Sequence, residues 1–133
     1  MGWRDNLHLI SGDLSNKKLV DILKENESWD KTVQTLILAE GLLMYLPSES
    51  VNDLFCQCNE VTGVGSRIVF TYVSKSADGR PDVGRWTGLV LWMLKVNGEP
   101  WIWSIQPEDL SRFLEETGWI YAPDLSGVRT ATW

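Results

Sequence analysis

The chain has 133 residues, the length of one domain with room for a real core. Hydrophobic residues make up 44%, charged residues 23%, and eight residues are Trp, a balance that excludes an intrinsically disordered chain. A net charge of −6 argues against a nucleic-acid partner, whose phosphates are neutralised by Lys and Arg, and one His with two Cys leaves too few soft ligands for zinc.

In chain order, Leu7–Ile10 is a short strand candidate that ends at the turn residues Ser11, Gly12 and Asp13. A helix should follow, capped by Ser15 or Asn16, with Leu19, Ile22 and Leu23 on one face. It fades by Asn26, and Glu27 to Lys31, polar apart from Trp29, reads as a loop. Leu36-Ile37-Leu38-Ala39 is an apolar run without alternation, which predicts a strand buried on both faces, as in a parallel sheet. Glu40 stands at its carboxyl end, the edge where open α/β sheets bind ligands. The plainer reading makes Glu40 a strand-end acid that caps the next turn.

After Pro47, Val51, Leu54, Phe55 and Cys58 recur at helical spacing, with Ser48 able to cap and Glu49 suited to the positive first turn. Gly63 and Gly65 end this helix and lead into a strand over Ile68–Val73. Nucleotide-binding glycine loops follow a strand and open a helix, and this one does the reverse, so it reads as a connection. Ser74 to Asp82 is polar. Val83, Trp86, Leu89 or Val90, and Met93 then predict a helix packed on the sheet. The alternation of Trp101-Ile102-Trp103-Ser104-Ile105 predicts a strand with Trp101, Trp103 and Ile105 on one face. Gln106-Pro107-Glu108-Asp109 is a helix start with Pro at the first position, Leu110, Phe113, Leu114 and Thr117 form the inner stripe, and Gly118 stops it. A strand over Trp119–Ala122 follows, and the tail beyond Pro123 is weakly patterned.

Cys56 and Cys58, two apart in a helix, point in different directions, which predicts free thiols in a reducing compartment. No signal-peptide pattern begins the chain, and the longest apolar run, Leu89 to Leu94, is far short of the roughly 20 residues that cross a bilayer. A cytoplasmic protein is expected.

Glu40-Gly41-Leu42-Leu43-Met44-Tyr45-Leu46-Pro47, followed by a helix and then Gly65-Ser66-Arg67-Ile68-Val69-Phe70-Thr71-Tyr72-Val73, resembles the central motif of the leucine carboxyl methyltransferase family, which uses S-adenosylmethionine. Asp13-Leu14 resembles the family's acidic-Leu pair. Gly98-Glu99-Pro100 and Pro107-Glu108-Asp109-Leu110 through Phe113-Leu114 to Gly118-Trp119 resemble its later segment, so the likeness runs from Leu7 to Trp119. It implies an α/β, partial Rossmann-like methyltransferase fold with a mostly parallel sheet and helices on its faces. Residues 1–133 would form a single domain, within which 74–106 is a lid-like segment where Trp86 and Trp92 suit an apolar pocket. The family's glycine-rich cofactor loop has no counterpart before residue 7, so the resemblance is to the family's C-terminal part and weak cofactor binding, or none, is expected of this chain alone.

The implied reaction is methyl transfer from S-adenosylmethionine to an oxygen, such as a carboxylate on a small molecule or a peptide end. Glu40 would face the cofactor's positively charged methionine end, Asp13 and Leu14 its adenine, and Tyr45 the acceptor. Asp13 also reads as a turn residue or helix cap. From a different class, the chain reads as a non-catalytic remnant that serves as an assembly or partner-binding domain. In the resembled sheet the strand matched by Leu36–Ala39 would lack its neighbour, and an apolar strand with a bare edge invites pairing, so a homodimer is expected, across that edge or across the Trp-rich strand and helix that carry Trp86, Trp92, Trp101 and Trp103. The other repair moves Leu7–Ile10 in to pair directly with that strand.

Overall fold

The computed structural model describes residues 5–75, 81–82, 87–98, 100–122 and 130–132. Its strands are β1 (Leu36–Ala39), β2 (Arg67–Phe70), β3 (Ser74–Lys75), β4 (Pro81–Asp82), β5 (Ile120–Ala122) and β6 (Thr130–Thr132). Its helices are α1 (Leu19–Lys24), α2 (Ser48–Glu60), α3 (Thr87–Val96) and α4 (Leu110–Glu116). β1 and β2 pair in parallel, Leu36 opposite Arg67 and Ala39 opposite Phe70. Parallel neighbours need a crossover, and α2 supplies it. The main sheet has the order β1-β2-β6-β5, and β6 is antiparallel to both neighbours, so β5 runs in the direction of β1 and β2. The α/β class that the alternation of elements implies is present, but the sheet is mixed rather than mostly parallel, since β1–β2 is its one parallel pairing and the inserted β6 makes the other two antiparallel; β3 and β4 form a separate antiparallel pair.

The core lies on one face of that sheet. Val51, Leu54, Phe55 and Cys58, the stripe read from the sequence, are the buried residues of α2. They meet Ala39, Ile68 and Phe70 from the strands and Leu110, Phe113 and Leu114 from α4. Phe55 is 0% exposed, with its ring edge-on to Phe70 at 5.1 Å and to Phe113 at 4.9 Å. The buried Trp119 donates its indole N–H to the Phe55 carbonyl at 3.0 Å, which ties the end of α4 to the middle of α2. α1 lies against α2, with the Val20 amide on Gln57 Oε1, and Trp29 pins the following loop to the Val61 carbonyl. The α2–β2 connection is stitched to the start of β1: Thr35 N–H donates to Ser66 Oγ, and Gln34 Nε2 to the Gly65 carbonyl. Gly63 passes so close to the Thr32 carbonyl that any Cβ would collide with backbone. That is a packing role, in agreement with the reading of Gly63 and Gly65 as a connection.

Several expectations are corrected. Leu7–Ile10 forms no strand and its side chains are exposed, because four residues with no partner cannot hold extended structure. α1 begins at Leu19 with Lys18 as N-cap and no side-chain cap, since Ser15 and Asn16 belong to a preceding turn. Ser48 is the first residue of α2 rather than its cap, and Pro47 takes the cap position. β1 is not buried on both faces: Leu36 and Leu38 are each 69% exposed, because the strand is at the sheet edge and α2 and α4 cover only the other face. β2 ends at Phe70, short of Val73.

α3 is not packed on the sheet by its apolar stripe, for Leu89, Trp92, Met93 and Val96 are exposed, Trp92 at 62%. The remaining stripe residues Val83 and Trp86 lie outside the described residues. Trp101–Ile105 keeps its alternation, Trp103 in and Ile102 out, yet forms only an isolated bridge between Ile105 and Ser74. Its amides go instead to the Met44 and Val73 carbonyls. The weakly patterned tail contributes β6, set between β2 and β5. Pro107 opens a 3-10 turn, Pro107–Asp109, that runs into α4, while the stripe through Thr117 and the stop at Gly118 (φ 88°) are as read. Cys56 and Cys58 are free thiols, and burial pushes Cys58 up to about 12. No helix among the described residues is long and apolar enough to cross a membrane.

Two measurements check this packing. Phe55→Ala removes the ring at the centre of three elements and should cost roughly 3–5 kcal/mol, read as a lower urea midpoint; an unchanged midpoint would mean that α2 is wrongly seated. Asp13, whose carboxylate accepts the Ser15 amide and the Asn16 side chain, is held below the usual aspartate value of 3.8. A depressed carboxylate contributes stability above its unfolded value and loses it as pH falls through the folded one. Stability should therefore decline through the region below pH 3.8, and Asp13→Asn should remove that part of the decline; identical pH profiles for parent and variant would show that the turn contributes nothing.

Candidate functional site

The carboxyl end of the β1–β2 pair is fixed by a short lock. Thr71 follows β2, and its N–H donates to the Ala39 carbonyl at 3.2 Å while its Oγ1 accepts the Gly41 N–H at 2.8 Å. Glu40 is held between those two bonds, exposed, and its carboxylate has no hydrogen-bond or ion-pair partner among the described residues. The chain leaves the strand through Gly41 at φ 62°, a left-handed turn that a side chain would strain. It then makes a 3-10 turn over Leu43–Tyr45, with Leu43 and Leu46 buried as anchors.

The same anchoring turns Tyr45 outward at 40% exposure. Glu40 and Tyr45 thus share one strap along the carboxyl edge. The Met44 carbonyl accepts the Ile102 amide at 2.6 Å and the Trp103 amide at 3.2 Å, laying residues 101–103 beside that strap. Trp103 is buried with its ring 5.7 Å from Phe113, so this second segment is rooted in the core.

Asp13 and Leu14 are placed elsewhere. Asp13 caps its own turn, Oδ1 accepting Ser15 N–H at 2.9 Å and Oδ2 accepting Asn16 Nδ2 at 2.6 Å, while its carbonyl accepts the Asn16 and Lys17 amides. The backbone bond from Ser15 is the largest cause of its lowered pKa. Leu14 is half-buried against the core and lines a cleft of about 210 Å³ with Leu19, Ser50, Asp53, Leu54 and Gln57. Neither Glu40 nor Tyr45 lines that cleft. Thr71 and the Met44 carbonyl are parts of the site that sequence reasoning missed. A hydroxyl residue just past a strand end is the one local signal for Thr71, and a backbone carbonyl leaves none.

Residues 2–59 match the family described as leucine carboxyl methyltransferase. The matched span holds Asp13, Leu14, Glu40 and Tyr45 and ends inside α2. Among solved structures the chain is similar to the pyocyanin biosynthetic protein PhzM, with 18% identity and a TM-score of 0.50 over 72% of this chain and 29% of that one. It is also similar to a candidate O-methyltransferase from Nostoc punctiforme PCC 73102, with 10% identity and a TM-score of 0.53 over 79% and 33%. A third is TnmH, with 14% identity and a TM-score of 0.51 over 77% and 31%. At such identities the likeness is one of fold, and the chain spans about a third of the length of these proteins. The chain has a Rossmann-like methyltransferase fold and, over residues 2–59, resembles the leucine carboxyl methyltransferase family.

Proposed function

We propose that this chain carries the carboxyl-edge part of an S-adenosylmethionine-dependent O-methyltransferase site whose acceptor is a carboxylate or another oxygen. The observation that carries the reading is the Glu40 carboxylate, without a partner among the described residues and locked at the end of a parallel strand within the family match. S-adenosylmethionine, when bound, supplies a methyl group made electrophilic by a sulfonium. Glu40 has the charge to face its cationic methionine end. Asp13 retains lone-pair capacity beyond its two bonds for an amine of the adenine, with Leu14 beside it. Tyr45, outward on the strap, is the residue assigned to the acceptor side.

A carboxylate acceptor is already ionised at neutral pH, so the protein's task is to orient it and exclude water rather than to supply a base. Residues 74–106 are assigned the covering role; the anchor of Ile102 and Trp103 on the Met44 carbonyl supports it. The free thiols of Cys56 and Cys58 favour the cytoplasm.

A second reading, an assembly domain, is favoured by the edge of β1. Thr35 and Ala39 turn their carbonyls to β2, so Leu36 and Leu38 turn N–H and C=O away from it, toward an edge where no described strand sits. Pairing across that edge in a homodimer would satisfy these groups and cover both leucines.

Calorimetric titration of the 133-residue chain with S-adenosylmethionine tests the first reading. Binding weaker than the low-micromolar range, where the free energy is about 8 kcal/mol, is expected, and Glu40→Gln should weaken it further. Equal affinity in parent and variant would remove Glu40 from the site, and no binding at all would leave the assembly reading. Light scattering after size exclusion at micromolar concentration tests the second: a dimer mass that falls to monomer when Leu38 is replaced by Pro is expected, and a monomer mass in the parent would eliminate the dimer.

A further inference from the structure

Trp101 Nε1 is buried and has no hydrogen-bond partner among the described residues. That is out of keeping with this chain, which satisfies other indole donors on backbone carbonyls: Trp29 on Val61 and Trp119 on Phe55. A buried donor left unpaired is a standing cost to folding, and in a native protein it points to a ligand, a trapped water or strain. The ring is also not a core filler, since the half-buried Trp101 stands outside the core cluster that includes Trp103, Phe113 and Phe55.

Its backbone is placed at the candidate site. The next two amides, those of Ile102 and Trp103, both donate to the Met44 carbonyl, so Trp101 enters the segment beside Tyr45 and the carboxyl edge. Resting on the methyltransferase reading above, we propose that the Trp101 indole N–H is the positioning donor for the acceptor, holding one oxygen of a bound carboxylate. The chemistry of the surroundings favours such an occupant. Neither residues 36–46 nor residues 100–106 include a Lys or Arg, so the side-chain donors that these two segments offer an oxygen are neutral, the indole of Trp101 and the hydroxyl of Tyr45 among them. A cation would pair with the carboxylate and quench it. A single neutral N–H in a water-poor place orients the anion through a charge-assisted bond while leaving its second oxygen free to react.

The test uses the whole 133-residue chain labelled with nitrogen-15, with sodium benzoate as the carboxylate probe and S-adenosylhomocysteine titrated separately. Saturating benzoate should move the Trp101 indole proton downfield, and Trp101→Phe should weaken benzoate binding about tenfold, the size of one hydrogen bond to a charged acceptor, without lowering the melting temperature. An indole resonance that benzoate leaves in place would overturn the proposal, whether a trapped water or strain explains the orphan; this readout in the parent decides even where the variant does not fold. Unchanged benzoate affinity in a folded Trp101→Phe would overturn it too. If benzoate moves the resonance while S-adenosylhomocysteine fails to bind, the donor site stands and the methyltransferase reading falls. If S-adenosylhomocysteine binds through Glu40 and benzoate ignores Trp101, this proposal falls alone.

Discussion

The parallel pairing of β1 with β2 is the constraint on which the rest depends. Because two parallel strands cannot be joined by a hairpin, the chain must leave the carboxyl end of β1, travel back along the sheet and re-enter beside it. α2 makes that return, and its one apolar stripe is what seats it. The same geometry brings residues 39–41 and Thr71 to one edge, where a single threonine bonds the backbone on both sides of Glu40. The place of the carboxylate is thus a consequence of strand register, not of any interaction made by the carboxylate itself.

The sheet so formed is covered on one side. Ile37, Ala39, Ile68 and Phe70 face α2 and α4. By register, Leu36, Arg67 and Ile120 share a row on the other face, and Leu38 and Val69 the next. Full burial of a leucine is worth about 1.5–3 kcal/mol, so the two exposed leucines of β1 hold back an appreciable part of the stabilisation that this strand could supply. A doubly wound sheet normally buries both faces, which is why its strands read as unbroken apolar runs. The composition of β1 is that of an interior strand, and its position here is at an edge. Cover on that face and pairing on that edge are separate requirements, and one partner that adds a strand with an apolar side chain pointing the same way would meet both.

What the sequence disclosed follows the range of the interaction concerned. The α2 stripe was legible in full because a period of three to four residues is contained within the helix that it describes. The turn at Pro107 that leads into α4 and the stop at Gly118 were legible for the same reason. The existence of β1 was legible but its exposure was not, since burial depends on strands and helices distant in the chain. Trp101–Ile105 shows the limit most plainly: its alternation correctly sorts Trp103 from Ile102, but alternation does not say where the amides go, and they go to Met44. β6, Thr-Ala-Thr, carries no apolar signal, and its strand character comes wholly from its two antiparallel neighbours. In the site, Glu40 was marked by its place after an apolar run, whereas its lock on Thr71 spans 30 residues and left no local trace. Asp13 admitted two readings, and its own turn uses two of its acceptor sites.

Charge narrows what the carboxyl edge can receive. From Leu36 to Leu46 the one ionisable group at neutral pH is Glu40, and Arg67, the cation of β2, stands opposite Leu36 at the far end of the pair. A phosphate-bearing cofactor at that edge would meet a carboxylate with no compensating cation in the strap. A cationic group meets the opposite sign: at 4 Å the attraction to one carboxylate is about 1 kcal/mol in bulk water and about 4 kcal/mol at the effective dielectric of a protein surface. Since Glu40 is exposed and has no partner among the described residues, its attraction is near the lower figure until something covers the edge. A segment that closed over the strap would therefore do more than exclude water, because it would raise the strength of the Glu40 charge.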